Sequence, residues 1–169
     1  FLADGRSNPV DQIEALESFL PERNLDVGRI LTIVNCRLAH DQPGTAPWYD
    51  ACIHFSDVVL LNRRENVPNK WVDGFIKKYR KDCLPCHFEW VKKGRVSNPE
   101  SILFPEPRRL SLIFDDLKSD PTTEIEIQIE SRVPDSSDDI TENNPTDPYL
   151  ERDAAGMRTK TVPDILPFL

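Results

Sequence analysis

The feature that most constrains the fold is a short, unbroken apolar run, Val58–Leu61, in the middle of the chain. Such a run, without polar alternation, is typical of a central parallel strand that is covered on both faces. The segment 29–35 is a second run of this kind, and 84–91 contains a third. Because parallel strands are joined by crossover connections that are usually helical, the segments between these runs decide the fold class.

Apolar residues at helical spacing fill the segments before and between the predicted strands. Asn8 and Pro9 together predict a helix start, which Pro21 is expected to end. Pro47 and Pro68 are predicted to open two further helices. The alternation of helices and strands predicts an α/β fold, a three-layer sandwich with a mostly parallel sheet and helices on both faces.

The charge is distributed unevenly along the chain. The net charge is −8, and residues 115–153 hold 13 of the 29 acidic side chains but only 3 of the 21 basic ones. The α/β region is therefore assigned to residues 1–114, with one more strand expected near its end, at Leu110–Phe114. An acidic extension is expected to follow it.

The acidic extension divides into three parts by pattern. In residues 115–132, Ile125, Ile127 and Ile129 alternate with charged or polar residues, which predicts a half-buried edge strand. Residues 133–150 are too polar to bury a core, so we expect a mobile acidic loop or linker. Residues 151–169 end in an apolar stretch that we expect to dock on the rest of the protein.

Composition excludes several classes of protein. The acidic balance disfavours nucleic-acid binding, and the basic residues of segments 77–81 and 92–95 are interpreted as solvated surface. No apolar run approaches the ~18 residues of a membrane span. No secretory signal is visible, so we expect reduced thiols and a cytoplasmic protein. Phe1 at the start and Met157 as the single methionine suggest a piece of a longer protein.

Cys83 and Cys86 form a C-x-x-C pair that His87 follows directly. Three interpretations stay open for these residues: buried structural cysteines, a small metal-binding module built on all three side chains, and a redox pair. A structural zinc site needs four ligands, and no second closely spaced pair exists in the sequence. The metal, if one binds, is not identified by this pattern.

A strand that ends in Asn62, followed by Arg63 and Glu65, has the composition of a loop that reads guanine. The asparagine would tie neighbouring loops together, and the aliphatic stem of the basic residue would cover the base. The carboxylate would accept hydrogen bonds from the N1 and N2 protons of guanine, which adenine does not offer.

Three segments in this order resemble the CobW-like metallochaperone GTPases. That family has E-x-x-G-x-x-D-P where this chain has residues 2–9, a strand T-V-V-D where this chain has residues 32–35, and A-D-V-V-L-L-N-K-x-D where this chain has residues 56–65. The resemblance covers about residues 1–105. It implies a P-loop NTPase-like fold that binds GTP, with Asn62, Arg63 and Glu65 at the base and a switch-like segment containing Asp4, Gly5 and Asn8.

The chain departs from the family at several of these positions. Leu2 stands for the glutamate, Asn8 and Asn35 for aspartates, and Glu65 for the aspartate at the base. The phosphate-binding G-x-x-x-x-G-K-[ST] and the metal motif C-x-C-C are not found in the 169 residues. In the family both lie upstream of the segment that corresponds to this chain.

Three functions follow as hypotheses. The first is part of a GTP-binding metallochaperone or accessory protein, and the second is a degenerate GTPase-fold protein that acts as a protein-interaction module. The third is the metal-binding module at Cys83, Cys86 and His87. A protein partner is expected in the first two. Because the phosphate loop is missing from these residues, we expect no GTP hydrolysis and weak or no nucleotide binding by this segment alone.

Overall fold

A computed structural model describes residues 1–82, 84–115 and 147–169. The helices are α1 (Pro9–Glu22), α2 (Cys36–Asp41), α3 (Ala46–His54), α4 (Asn69–Lys81) and α5 (Pro99–Leu103). The strands are β1 (Leu31–Asn35), β2 (Val58–Asn62), β3 (His87–Lys92) and β4 (Arg95–Val96). Short 3₁₀ turns cover Pro43–Thr45 and Leu166–Phe168. None of the helices in these ranges has the length and apolar character needed to cross a membrane.

The strands form one open, mostly parallel sheet in the order β1-β2-β3-β4. The first three strands run parallel, and β4 folds back antiparallel on β3. Asn35 is opposite Asn62, and Leu61 is opposite Trp90. The mixed α/β class is confirmed, and so is the prediction that these strands end at the same edge of the sheet.

Asparagine side chains begin two of the helices. Asn8 accepts a hydrogen bond from the Val10 N–H at 2.9 Å, as its position before Pro9 predicts. Asn35, at the end of β1, accepts one from the Leu38 N–H at 3.1 Å and starts α2 directly after the strand. Sequence periodicity did not predict this six-residue helix. The helix α1 also ends at Glu22, one residue beyond Pro21.

The main core lies on one face of the sheet. Val34, Val59 and Leu61 point to this face, and side chains of α2, α3 and α4 pack against them. On the opposite face of β1, Leu31 and Ile33 are 38% and 61% exposed. Within the described ranges these two side chains lack a full cover. The helices that the sequence predicts on that second face, and with them the three-layer sandwich, stay a prediction.

A second, smaller core joins α1, α3 and the C-terminal part of the chain. Its buried members are Val10, Ala51, Phe55 and Tyr149, and Val162 packs against them. The Phe55 and Tyr149 rings lie 5.8 Å apart between centroids. Tyr149 therefore attaches a segment far along the sequence to the helical layer.

A buried ion network lies at the other end of the sheet, where β1 and β2 begin. The fully buried Asp57 carboxylate accepts hydrogen bonds from the Ile30 N–H at 2.7 Å and the Arg108 N–H at 2.6 Å. The Arg109 side chain, 2% exposed, lies 3.4 Å from Asp57 and also pairs with Asp115. Asp57 thus holds residues 108–115 against the start of the sheet.

The strand predicted at Leu110–Phe114 is wrong, because this segment is bent and ends in a turn. The Leu110 N–H donates to the His54 carbonyl at the end of α3, and the Asp115 N–H donates back to the Leu112 carbonyl. These bonds, together with the Arg109 ion pairs, leave no extended ladder. The predictions for Cys83, for 116–132 with its three isoleucines, and for most of the acidic segment 133–150 lie outside the described residues. The last four residues of that segment are described, and the expectation that it buries no core side chain is wrong there, because Tyr149 is buried in the second core.

We predict that the buried pair of His54 and Asp147 makes the free energy of unfolding fall as the pH is lowered into the acid range. Burial raises the pKa of Asp147, but hydrogen bonds from the His54 ring at 2.8 Å and the Tyr149 N–H at 3.0 Å outweigh it, so the pKa lies below its usual value. Because its pKa is lower in the folded state, the ionised Asp147 carboxylate stabilises the fold above about pH 4. This contribution to the free energy of unfolding is lost as the pH falls through the folded-state pKa.

Urea unfolding of Asp147→Asn against the parent should therefore show a deficit at pH 6 that shrinks toward pH 3. Glu17→Gln, at an exposed position of α1, is the control and should track the parent throughout. A deficit of constant size from pH 6 to pH 3 would contradict the prediction.

Candidate functional site

The candidate site is the edge of the sheet where β1, β2 and β3 end. Parallel strands in an open α/β sheet place their carboxyl ends together, and ligands of such sheets bind outside these ends. Asn35 and Asn62 are neighbours in register, and Trp90 lies on the next strand. The loop after β2 carries the residues that the sequence predicts at a guanine base.

The Asn62 side chain forms a hydrogen bond within the loop that follows β2. Its side-chain oxygen accepts a hydrogen bond from the Arg63 N–H at 2.8 Å. Arg63 and Asn66 both have positive φ, 51° and 68°, so the chain turns sharply after the strand. The expected tie from Asn62 to a neighbouring loop is not made among the described residues. Arg63 itself is exposed.

Arg64, which the sequence analysis did not select, makes the closest aromatic contact of the loop. Its guanidinium carbon lies 3.9 Å from the centroid of the Trp90 ring, and Nη2 donates to the Asn69 side chain at 3.2 Å. Its Nε is buried and has no partner in the described part of the chain. The sequence signal was an arginine in the loop and a tryptophan on the next strand, but only the strand register brings them together.

Glu65 projects into solvent and makes no hydrogen bond or ion pair with any residue in the described ranges. Cys36, at the start of α2, is fully buried nearby. Burial raises the pKa of the Cys36 thiol to about 11, although the positive charge of Arg64 opposes this shift. The edge therefore offers one free carboxylate and a neutral, inaccessible thiol.

The switch-like segment forms a separate turn before α1. The Asp4 carboxylate accepts hydrogen bonds from the Arg6 N–H at 3.1 Å and the Ser7 hydroxyl at 2.9 Å. Asn8 caps α1, and Gly5 lies in the turn between them. Within the described ranges, the hydrogen bonds of this segment stay inside residues 4–12. They do not join it to the loop after β2.

The C-x-x-C-H segment is described only in part. Cys86 is buried, which raises the pKa of its thiol to about 11. The His87 ring lies 3.4 Å from the Glu89 carboxylate. No group of three or more histidine, cysteine or acidic side chains that would suit a metal ion occurs in the described residues. Cys83, the third member of the predicted module, is not among them.

The chain was compared with protein-family models, with curated proteins and with solved structures, and none of them matches it. The fold class rests on the strand order and register alone: an α/β protein with an open, mostly parallel sheet. The function rests on the chemistry of the edge described above.

Proposed function

We propose that this chain is part of a GTP-binding accessory protein of the CobW-like metallochaperone kind, with a P-loop NTPase-like three-layer fold. In this proposal the loop after β2 receives the guanine base. Glu65 accepts hydrogen bonds from the base, and Arg63 covers its face. The chemistry on the phosphates belongs to a phosphate-binding loop that residues 1–169 do not contain.

One observation carries the proposal, namely the free carboxylate of Glu65 beside the paired strand ends of Asn35 and Asn62. A carboxylate without an internal partner is ready to accept two hydrogen bonds from a ligand. Guanine presents two adjacent donors on one edge, which matches the two carboxylate oxygens. The contact of Arg64 with the Trp90 ring attaches this loop to β3.

The second candidate is a degenerate relative that keeps the fold as a protein-interaction module. The exposed Leu31 and Ile33 on the uncovered face of β1 favour it, since large exposed apolar side chains that lie together mark contact surfaces. The changes from the family pattern at Asn8, Asn35 and Glu65 also fit a protein that no longer hydrolyses GTP.

A competition titration of GTP against ATP on the longest natural form of the protein tests the first candidate. Glu65→Ala should weaken GTP binding by about 1–3 kcal/mol, roughly 5- to 150-fold, because the guanine donors lose their acceptor. Its preference for GTP over ATP should fall by the same factor, whereas Glu65→Asp should bind GTP at least as tightly as the parent.

Glu17→Ala, which removes an exposed carboxylate from α1, is the matched control and should bind like the parent. An unchanged preference for GTP in Glu65→Ala would remove Glu65 as the reader of the base. If neither nucleotide competes at millimolar concentration in the parent, the interaction module becomes the better proposal.

A further inference from the structure

The β3–β4 hairpin has an unusual turn. Lys92 and Arg95 are paired across the two strands, and Lys93 and Gly94 form the two-residue connection with φ values of 51° and 71°. Two positive φ values define the type I′ turn, whose first position favours asparagine or glycine. A lysine there holds a backbone conformation that is unfavourable for its side chain, and such outliers collect at functional sites.

The hairpin also concentrates positive charge without compensation. Lys92 lies directly opposite Arg95, and like charges at such a pair destabilise a sheet. Lys92, Lys93 and Arg95 are all exposed, and none of them makes a hydrogen bond or ion pair with a residue in the described ranges. Two local preferences are thus violated in four consecutive residues.

These cations surround a concave surface. A cavity of about 440 Å³ is lined by Lys92, Lys93, Arg95, Val96 and Ser97, with no carboxylate among the lining residues. Because side chains alternate along a strand, Lys92 lies on the same face of β3 as Trp90, on which Arg64 stacks. The basic hairpin is therefore the continuation of the strand whose Trp90 contacts Arg64 at the candidate site.

We propose that the β3–β4 hairpin is a binding site for a compact, multiply charged phosphate ligand, an oligophosphate chain. The arginine fork and the two ammonium groups supply charge-assisted hydrogen bonds to phosphate oxygens, and the Ser97 hydroxyl adds a further donor. Bound anion would relieve the repulsion between Lys92 and Arg95. Glu65 is not among the residues that line this cavity, and binding here does not require the recognition of guanine.

The geometry favours a dense anion over an extended one. The three cations belong to residues 92–95 and line one cavity, so three positive charges lie on a short stretch of chain around it. An acidic peptide in extended form spreads its carboxylates at about 3.3 Å per residue along a line, alternately on opposite sides. Adjacent phosphates in one chain bring several charges to the same small volume.

The test is calorimetric titration of the protein with inorganic tripolyphosphate at low ionic strength. The variant Lys92→Gln/Arg95→Gln should bind at least tenfold more weakly than the parent. The matched control, Lys70→Gln/Lys77→Gln, removes two exposed charges from α4 and should change the affinity less than twofold. Raising the salt concentration should weaken binding by the parent more steeply than by the hairpin variant.

Lys93→Asn separates binding from folding. Asparagine suits the turn, so this variant should melt no lower than the parent and yet bind tripolyphosphate more weakly. Two further titrations identify the source of the phosphate. If the hairpin variants bind GTP more weakly than the parent does, the phosphates of GTP occupy this site. Guanosine, which has no phosphate, should bind the hairpin variants as tightly as it binds the parent. If the parent protein binds tripolyphosphate but binds guanosine only weakly, the result contradicts the role of Glu65 in reading the base and leaves the hairpin site supported.

Three outcomes would overturn the proposal. The first is equal weakening by the hairpin and α4 variants, which would indicate a general charge effect. The second is the absence of heat with tripolyphosphate at millimolar concentration. The third is hexaglutamate binding as tightly as tripolyphosphate, which would assign the surface to an acidic protein segment instead.

Discussion

Replacing Asp57 with alanine is expected to lower the free energy of unfolding by about 3–5 kcal/mol. The carboxylate is fully buried and serves the Ile30 and Arg108 N–H groups together with the Arg109 side chain. Among the described residues, its removal leaves the buried Arg109 guanidinium with Asp115 as the one remaining counter-charge. A buried charge without its partner costs far more than an exposed ion pair gives.

Urea unfolding followed by circular dichroism measures this effect. Asp41→Ala is the control: that carboxylate also has an ion-pair partner, Arg37, but it is half exposed, so the variant should lose much less stability than Asp57→Ala. The double variant Asp57→Ala/Arg109→Met should recover part of the loss because it no longer buries a charge. A loss below about 1 kcal/mol for Asp57→Ala would refute the role of this network.

Phe55→Ala is expected to cost about 3–5 kcal/mol and to loosen the C-terminal part of the chain from the helices. The Phe55 side chain is 1% exposed and fills the second core. Its ring contacts His54 and Tyr149, with centroids 4.9 and 5.8 Å away. The cavity left by alanine would be lined by side chains from α1, α3 and residues 147–150.

Hydrogen exchange distinguishes local from global loosening in this variant. The amides of Leu150 and Glu151, both bonded to the Asp147 carbonyl, should lose protection more than the amides of β2 do. Phe19→Ala removes a ring of the same size from a half-exposed position of α1 and should cost much less than Phe55→Ala. Equal losses of protection at Leu150 and in β2 would argue against a separate second core.

Periodicity and proline positions were sufficient to predict most of the regular elements. The apolar run at Val58–Leu61 became β2, and Pro47 and Pro68 lie at the starts of α3 and α4. The helix α2 was not predicted, because six residues are too few to show a helical period of apolar residues. It begins at the Asn35 cap directly after β1. The bend at 110–114 was not predicted either, because it depends on the buried ion pair of Arg109 with Asp57, two residues that are far apart in the sequence.

The candidate site was predicted less completely than the fold. Parallel pairing alone was sufficient to predict that Asn62 lies at the edge where β1 and β2 end, with Glu65 in the loop that follows, whereas their role at a guanine base stays a prediction. The sequence analysis selected Arg63 to cover the guanine base, which stays a prediction, and it did not select Arg64, whose guanidinium lies over the Trp90 ring. Residues 92–95 were interpreted as solvated surface, because neither the repulsive pairing of Lys92 with Arg95 nor the φ of Lys93 can be seen without the hairpin register.

The open side of β1 has a consequence for the handling of the protein. This strand has a neighbour on only one side in the described residues, and its sequence, Leu-Thr-Ile-Val-Asn, carries no lysine or proline to prevent further pairing. Natural sheets protect such borders because they act as templates for strands from other molecules. Within the described residues, β1 thus has the features of a border open to strands from other molecules, and a charged substitution at the exposed Ile33 is expected to reduce oligomer growth in concentrated samples.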